Sequence, residues 1–135
     1  MKPRLLFAVN TRQREEIFSS ESLDVREAFA DVKYHDSEKK MNETELIAEI
    51  PGINGLVTCW GSPGIPEEVL EAATELKIIS HSAGSVRSYV HDGVFDRGIT
   101  VTNASSAIAV SVAETTIGLI IGSLRYLHYH DRALK

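Results

Sequence analysis

Small and polar residues cluster at 81–85, a His-Ser-Ala-Gly-Ser segment that follows the short apolar run Lys77–Ser80. A glycine between alanine and serine allows backbone N–H groups to approach a ligand without an intervening Cβ. We predict that a helix from about Val86 to Phe95 follows at once, with its positive dipole end directed at the same point. This combination favours an anionic ligand, most simply a carboxylate. The alternative is a plain left-handed connection with no ligand.

The segments around this turn follow the order strand, turn, helix, strand, which is typical of a parallel α/β unit. The whole chain repeats this order five times with short connections. The predicted strands are Leu5–Val9, Val32–His35, Leu56–Trp60, Lys77–Ser80 and Ile99–Thr102. The predicted helices between them are Arg12–Phe18, Glu21–Phe29 capped by Ser20, Glu43–Ile50 capped by Asn42, Glu67–Thr74, and the helix from Val86. We therefore predict an α/β fold, a flavodoxin-like, doubly wound parallel sheet of five strands in the order 2-1-3-4-5.

A long apolar helix is predicted from Ala104 to Leu124, with Glu114 as its only charged residue. Its length raises the possibility of a membrane span. Six serine and threonine residues and the lack of an aromatic belt argue against a span. Apolar side chains lie on one stripe (Ala113, Ile117, Ile120, Leu124 and Leu127) and also on the opposite side (Val112, Leu119 and Tyr126). A helix with two apolar sides is expected to lie buried between two bodies.

Three segments in a fixed order resemble the substrate-binding part of the D-isomer-specific 2-hydroxyacid dehydrogenases. They are Lys77–Arg87, Asp96–Asn103 and Val110–Glu114, and Leu56–Gly61 with Ile65–Leu70 is similar to the preceding strand and helix. The resemblance implies an oxidoreductase that interconverts a D-2-hydroxy acid and a 2-keto acid with NAD or NADP. It also implies that the backbone amides of Gly84 and Ser85 bind the substrate carboxylate, that Ala83 lies near the nicotinamide, and that Trp60 and Gly61 line the same cleft.

The same resemblance predicts how the chain is divided. Residues 1–104 would form the substrate-binding domain, and residues 105–135 the helix that leads into a Rossmann domain absent from this chain. No GxGxxG sequence occurs in the 135 residues. The catalytic arginine, glutamate and histidine of the family would lie beyond Lys135, so we assign no catalytic residue here. We expect the chain to be the amino-terminal portion of a dehydrogenase and to be inactive alone. Ile108 stands where formate dehydrogenases carry a substrate-binding asparagine, which argues against formate as substrate.

Composition excludes several classes of function. The net charge of -5, with no cluster of lysine and arginine, argues against nucleic-acid binding. Cys59 is the only cysteine, and the five histidines lack the spacing of metal ligands, so we predict neither a disulfide nor a metal site. His81, beside the predicted turn, is most simply a packed, hydrogen-bonded histidine. Leu5–Val9 is too short for the apolar part of a signal peptide, and a cytoplasmic location is expected.

Two other classes of function remain as alternatives. A free-standing flavodoxin-like binding or signalling module would explain the sheet without catalysis. A phosphorylated receiver would need acidic residues after the first and third strands, where the chain has Asn10 and Trp60. An interaction protein would use the apolar helix for docking. Since exposed Ile117, Ile120 and Leu124 would promote aggregation, we predict that the isolated chain forms a homodimer through this helix.

Overall fold

The computed structural model describes residues 2–135 and contains one five-stranded, all-parallel sheet. The strands are β1 (Arg4–Phe7), β2 (Asp31–Tyr34), β3 (Gly55–Thr58), β4 (Ile78–His81) and β5 (Thr100–Asn103). Their order is β2-β1-β3-β4-β5, so the predicted fold and strand order are confirmed. The predicted strand boundaries are displaced by one or two residues at each end, since the ladder starts earlier in β1 and later in β4.

Seven helices connect or follow these strands in the described residues. They are α1 (Thr11–Ile17), α2 (Ser20–Phe29), α3 (Glu43–Glu49), α4 (Glu67–Ala72), α5 (Asp92–Asp96), α6 (Ser105–Leu124) and α7 (Leu127–Leu134). Asn42 caps α3 as predicted, in a capping box with Glu45. The predicted cap of α2 is wrong by one residue. Ser19, not Ser20, has the extended backbone of a cap, and its hydroxyl accepts a hydrogen bond from the Ser22 amide.

The predicted helix from Val86 to Phe95 is wrong in its first half. Residues 86–89 form a single turn, in which the Tyr89 amide donates to the Val86 carbonyl at 2.9 Å. The Tyr89 carbonyl accepts from the distant Ile65 amide at 2.9 Å, which takes the acceptor that a continuing helix would use. Helix α5 starts only after His91, whose ring caps it by accepting from the Gly93 amide. The turn at Gly84 therefore does not lie at a helix start, and the expected dipole contribution is absent.

Side chains alternate between the two faces of the sheet and form separate apolar clusters. Leu6, Leu56 and Ile79 face the larger cluster, which the apolar sides of α3, α4 and α5 complete. Phe7 and Val57 face the opposite side, where they pack with Phe18. All four residues of β3 are buried, as expected for a central strand covered on both faces.

The chain divides into two units, one up to Asn103 and one from Ala104 to Lys135. In the second unit, α6 ends at Leu124 with Arg125 as its cap, because Tyr126 adopts a left-handed conformation with φ of 52°. Sequence patterns did not predict this break, and the expected apolar stripe from Ala113 to Leu127 crosses it. Most large apolar side chains of α6 are more than half exposed: Val110, Val112, Ile117, Leu119, Ile120, Ile121 and Leu124. The predicted domain boundary stays a prediction.

By length and composition alone, α6 is the one helix of the described residues that is apolar enough to cross a membrane. A single helix of this kind is weak evidence for a span, because core helices of globular proteins have the same composition.

Candidate functional site

Three loops meet at the carboxyl edge of the sheet: residues 8–10 after β1, 59–64 after β3 and 82–91 after β4. In open parallel sheets this edge is where ligands bind. Ser62 joins the first two loops, because its hydroxyl donates to the Ala8 carbonyl at 2.7 Å and accepts from the Cys59 amide at 2.9 Å. The side chain of Gln13 in α1 donates to the Trp60 carbonyl at 2.8 Å. These bonds give the loop after β3 a fixed path.

The loop that contains Gly84 and Ser85 lies beyond the regular ladder of the sheet. The last strand pair is His81 with Asn103, and the Ser82 amide adds one more bond, to the Thr58 carbonyl at 2.8 Å. Gly84 is not among the glycines with positive φ, and a Cβ built on it would have no atom within 4 Å. Neither backbone conformation nor packing in the described residues therefore requires a glycine at 84. The alternative of a left-handed connection is wrong.

Gly61 is a glycine for a local reason. Its φ of 77° is left-handed, which favours glycine, and a Cβ here would displace only the flexible end of the Lys40 side chain. Its amide donates a hydrogen bond to the hydroxyl of Tyr89 at 3.0 Å. That amide is consequently engaged and is not available to a ligand. The neighbouring Trp60 side chain is 52% exposed and presents its indole at this edge.

Ala83 is fully buried and packs with Val9 and Cys59 beneath the loops. At 0% exposure, neither its side chain nor its main chain reaches the surface of the described structure. Its predicted position near a nicotinamide stays a prediction, as do the binding roles of Gly84, Ser85, Trp60 and Gly61.

Burial raises the pKa of the Cys59 thiol, whose sulfur lies 3.5 Å from the Ser82 carbonyl. This cysteine is therefore a small apolar packing group at neutral pH.

His81 ends β4 directly below the candidate site and is 2% exposed. Its Nδ1 lies 2.9 Å from the hydroxyl of Thr58, and its ring packs on Tyr89 with centroids 4.6 Å apart. Burial lowers the pKa of the imidazole, which keeps it neutral near pH 7. Tyr89 was missed by reasoning from the sequence. The available signal was a large aromatic residue in an otherwise small and polar loop.

No group of three or more potential metal ligands occurs among residues 2–135.

Residues 6–130 match a protein family described as the catalytic domain of D-isomer-specific 2-hydroxyacid dehydrogenases. The chain belongs to this family. The match contains all three loops of the site and the whole of α6, and it confirms the resemblance drawn from the sequence.

Sequence similarity to named enzymes supports this membership. A D-3-phosphoglycerate dehydrogenase of Archaeoglobus fulgidus is 33% identical over 95 residues, which cover 70% of this chain and 18% of that protein. A glyoxylate reductase of Thermofilum pendens is 30% identical over 121 residues, which cover 88% of this chain and 35% of that protein. The chain thus spans about a fifth to a third of the length of these relatives.

Solved structures of other proteins have the same fold. A protein of Pyrococcus horikoshii OT3 superposes with a TM-score of 0.75 at 32% identity, over 98% of this chain and 36% of that one. An NAD+-bound 3-phosphoglycerate dehydrogenase of Entamoeba histolytica superposes with a TM-score of 0.63 over 90% of this chain and 39% of that one. Its 23% identity makes the second likeness one of fold only.

Proposed function

We propose that this chain is the substrate-binding part of an NAD(P)-dependent oxidoreductase that interconverts a D-2-hydroxy acid and a 2-keto acid. The observation that carries the proposal is Gly84. This glycine lies at the ligand-binding edge of the sheet, outside the ladder, where the fold itself does not require it. A glycine without a structural reason is best explained by the close approach of another group to the main chain. The family match indicates that the group approaching Gly84 is a small organic acid.

In this proposal the amides of Gly84 and Ser85 hold the carboxylate of the acid, and charge-assisted hydrogen bonds fix its orientation. The exposed indole of Trp60 offers an apolar surface to the rest of the acid and excludes water on that side. Neutral His81 lies below the loop and adds no charge that would compete for the carboxylate.

The described residues of this chain offer no phosphate-binding segment for the dinucleotide. Their nine glycines form no GxGxxG sequence, and the loop after β4 does not lead into a helix start that could hold a pyrophosphate. We therefore assign binding and orientation of the acid to this chain. NAD or NADP and the catalytic residues are assigned to the rest of the complete protein, and the isolated 135 residues should not turn over substrate.

Two substitutions at Gly84 test the proposal in the complete protein. Glyoxylate with NADH or NADPH, and D-3-phosphoglycerate with NAD+, are suitable assays because relatives are named for these acids. Since a Cβ at 84 would have no atom within 4 Å, Gly84→Ala should fold normally, and the urea midpoint of Gly84→Val checks that its larger side chain is also accommodated. KM for the acid should rise progressively, by about tenfold or more for valine. An unchanged KM in a normally folded Gly84→Val protein contradicts the proposal. Binding of the acid without NAD(P)-dependent turnover would favour the alternative, a binding or interaction module.

We also propose that the protein is cytoplasmic and forms homodimers through α6. The support is the exposed apolar surface of that helix together with the family match, which runs through the whole of α6. An apolar helix inside an enzyme domain is more simply covered by protein than by lipid. Nothing in the charge of the chain favours nucleic acid as a partner.

A further inference from the structure

Tyr89 joins two loops of the candidate site. Its hydroxyl accepts the hydrogen bond of the Gly61 amide at 3.0 Å, and its ring packs on His81 at an interplanar angle of 39°. The main chain of Tyr89 is held on both sides, by the Val86 carbonyl and by the Ile65 amide, each at 2.9 Å. The ring therefore connects the loop after β4 to the loop after β3 from a fixed position.

The support beneath this ring is rigid. His81 is almost fully buried, and its Nδ1 is paired with Thr58 in the central strand β3. Because both residues lie in paired strands of the sheet, the imidazole has little freedom to shift. Tyr89 thus rests on a side chain that the sheet itself holds in place.

The hydrogen bond from the Gly61 amide to Tyr89 also restrains the main chain next to Trp60. The Trp60 carbonyl is held by the Gln13 side chain, and the next amide, that of Gly61, is held by Tyr89. The main chain that carries the exposed indole is therefore held on its carboxyl side. Without the Tyr89 hydroxyl, the left-handed Gly61 would lose its amide partner, and the path of the loop would depend on Gln13 and Ser62 alone.

We propose that Tyr89 is a positioning residue. Through its hydrogen bond to Gly61 and its ring contact with His81, it holds the main chain at Trp60 in a fixed position relative to the Gly84 loop. The effect on substrate rests on the function proposed above. Tyr89 touches neither acid nor cofactor in this proposal. It preorganises the surface that receives the acid, so its loss weakens ground-state and transition-state binding alike.

Tyr89→Phe removes the hydroxyl and keeps the ring on His81. In the complete protein, KM for glyoxylate should rise about tenfold, while kcat stays within about twofold of wild type. Tyr34→Phe is the matched control, because the Tyr34 hydroxyl also makes a hydrogen bond, to Glu27 at 2.8 Å, and its ring also packs on an aromatic residue, Phe7. The control should leave KM unchanged. A folded Tyr89→Phe protein with wild-type KM, or with a loss in kcat alone, overturns the proposal.

Two measurements on the 135-residue chain are independent of activity. Trp60 is its only tryptophan, so acrylamide quenching reports on this loop directly and should increase in Tyr89→Phe but not in Tyr34→Phe. In the wild-type chain, the Gly61 amide should exchange with solvent at least about tenfold more slowly than in an unstructured peptide. Exchange at the unstructured rate refutes the positioning role even if the variant does not fold. If the complete protein reduces no 2-keto acid, the proposed function fails, and quenching and exchange still decide the role of Tyr89.

Discussion

The imidazole of His81 lies against the ring of Tyr89, and its Nε2 atom has no hydrogen-bond partner among the described residues. Its other nitrogen faces the neutral hydroxyl of Thr58. Because no carboxylate is paired with the ring in the described structure, a proton on it would be an uncompensated buried charge.

This environment predicts a loss of stability in mild acid. The unfolded chain binds a proton on His81 near pH 6.5, whereas the folded chain has a lowered pKa and binds it only at lower pH. The free energy of unfolding should therefore fall as pH decreases from about 7.5 through 6.5, until the folded pKa is reached. Urea unfolding across this range measures the effect. His81→Gln should flatten the profile, whereas His128→Gln, a change at an exposed histidine, should leave it unaltered. Parallel profiles for wild type and His81→Gln would contradict the assignment.

The thiol of Cys59 should be inert in the folded chain. Its burial and its raised pKa both oppose formation of the reactive thiolate. A disulfide reagent such as Ellman's reagent should react slowly at pH 7.5 and release one equivalent rapidly in urea, since this is the only cysteine. Rapid reaction without denaturant would show that the cluster with Val9 and Ala83 opens readily.

Three glycines should separate into two classes when each is replaced by alanine. Gly61 and Gly98 have φ of 77° and 71°, so Gly61→Ala and Gly98→Ala should each cost about 1 kcal/mol or more of stability. Gly84 has neither positive φ nor a neighbour near its Cβ, so Gly84→Ala should change stability by less than about 0.5 kcal/mol. Urea midpoints of the three variants provide the comparison. A large loss at Gly84 would indicate a structural role and would weaken the case for a ligand there.

The capping box of α3 should make a measurable contribution to stability. Asn42→Ala removes the acceptor for the Glu45 amide and should cost about 1 kcal/mol. Asn42→Asp keeps an acceptor at the same place and serves as the control. Thermal unfolding distinguishes the two, and KM of the complete protein should be unaffected, since α3 contributes none of the residues to which we assign substrate binding.

Self-association of the isolated chain should depend on α6. Ile117→Glu with Leu124→Glu places two charges on the apolar stripe and should convert a dimer into a monomer in light scattering. Ser111→Glu on the same helix, away from that stripe, is the control. A clean monomer of the wild-type chain at high concentration would contradict the homodimer.

The sheet was predictable because its central strands β1 and β3 are short apolar runs, and because helices between strands carry start signals such as Asn42. The error at residues 86–91 has a different origin. A helix there is prevented by the hydrogen bond from the Ile65 amide to the Tyr89 carbonyl, a contact that no local pattern encodes. The break at Tyr126 was missed because a left-handed tyrosine has no sequence signature.

The candidate site was predictable in part for the same reason. Gly84 was singled out from local composition, and its position at the carboxyl edge followed from the strand order, whereas its binding role stays a prediction. The contribution of Tyr89 depends on contacts with His81 and Gly61, and the second of these is 28 residues distant in sequence. Such contacts become visible only when the strands have been brought side by side.

Strand β3 is buried along its whole length between β1 and β4. Thermal breathing of a sheet begins at its outer strands, so β3 should be among the last segments to separate from its neighbours. Trp60 is carried two residues beyond the end of this strand. Any closing motion over a bound acid should therefore leave the base of that loop stationary, and the parts of the site that move should lie outside β3.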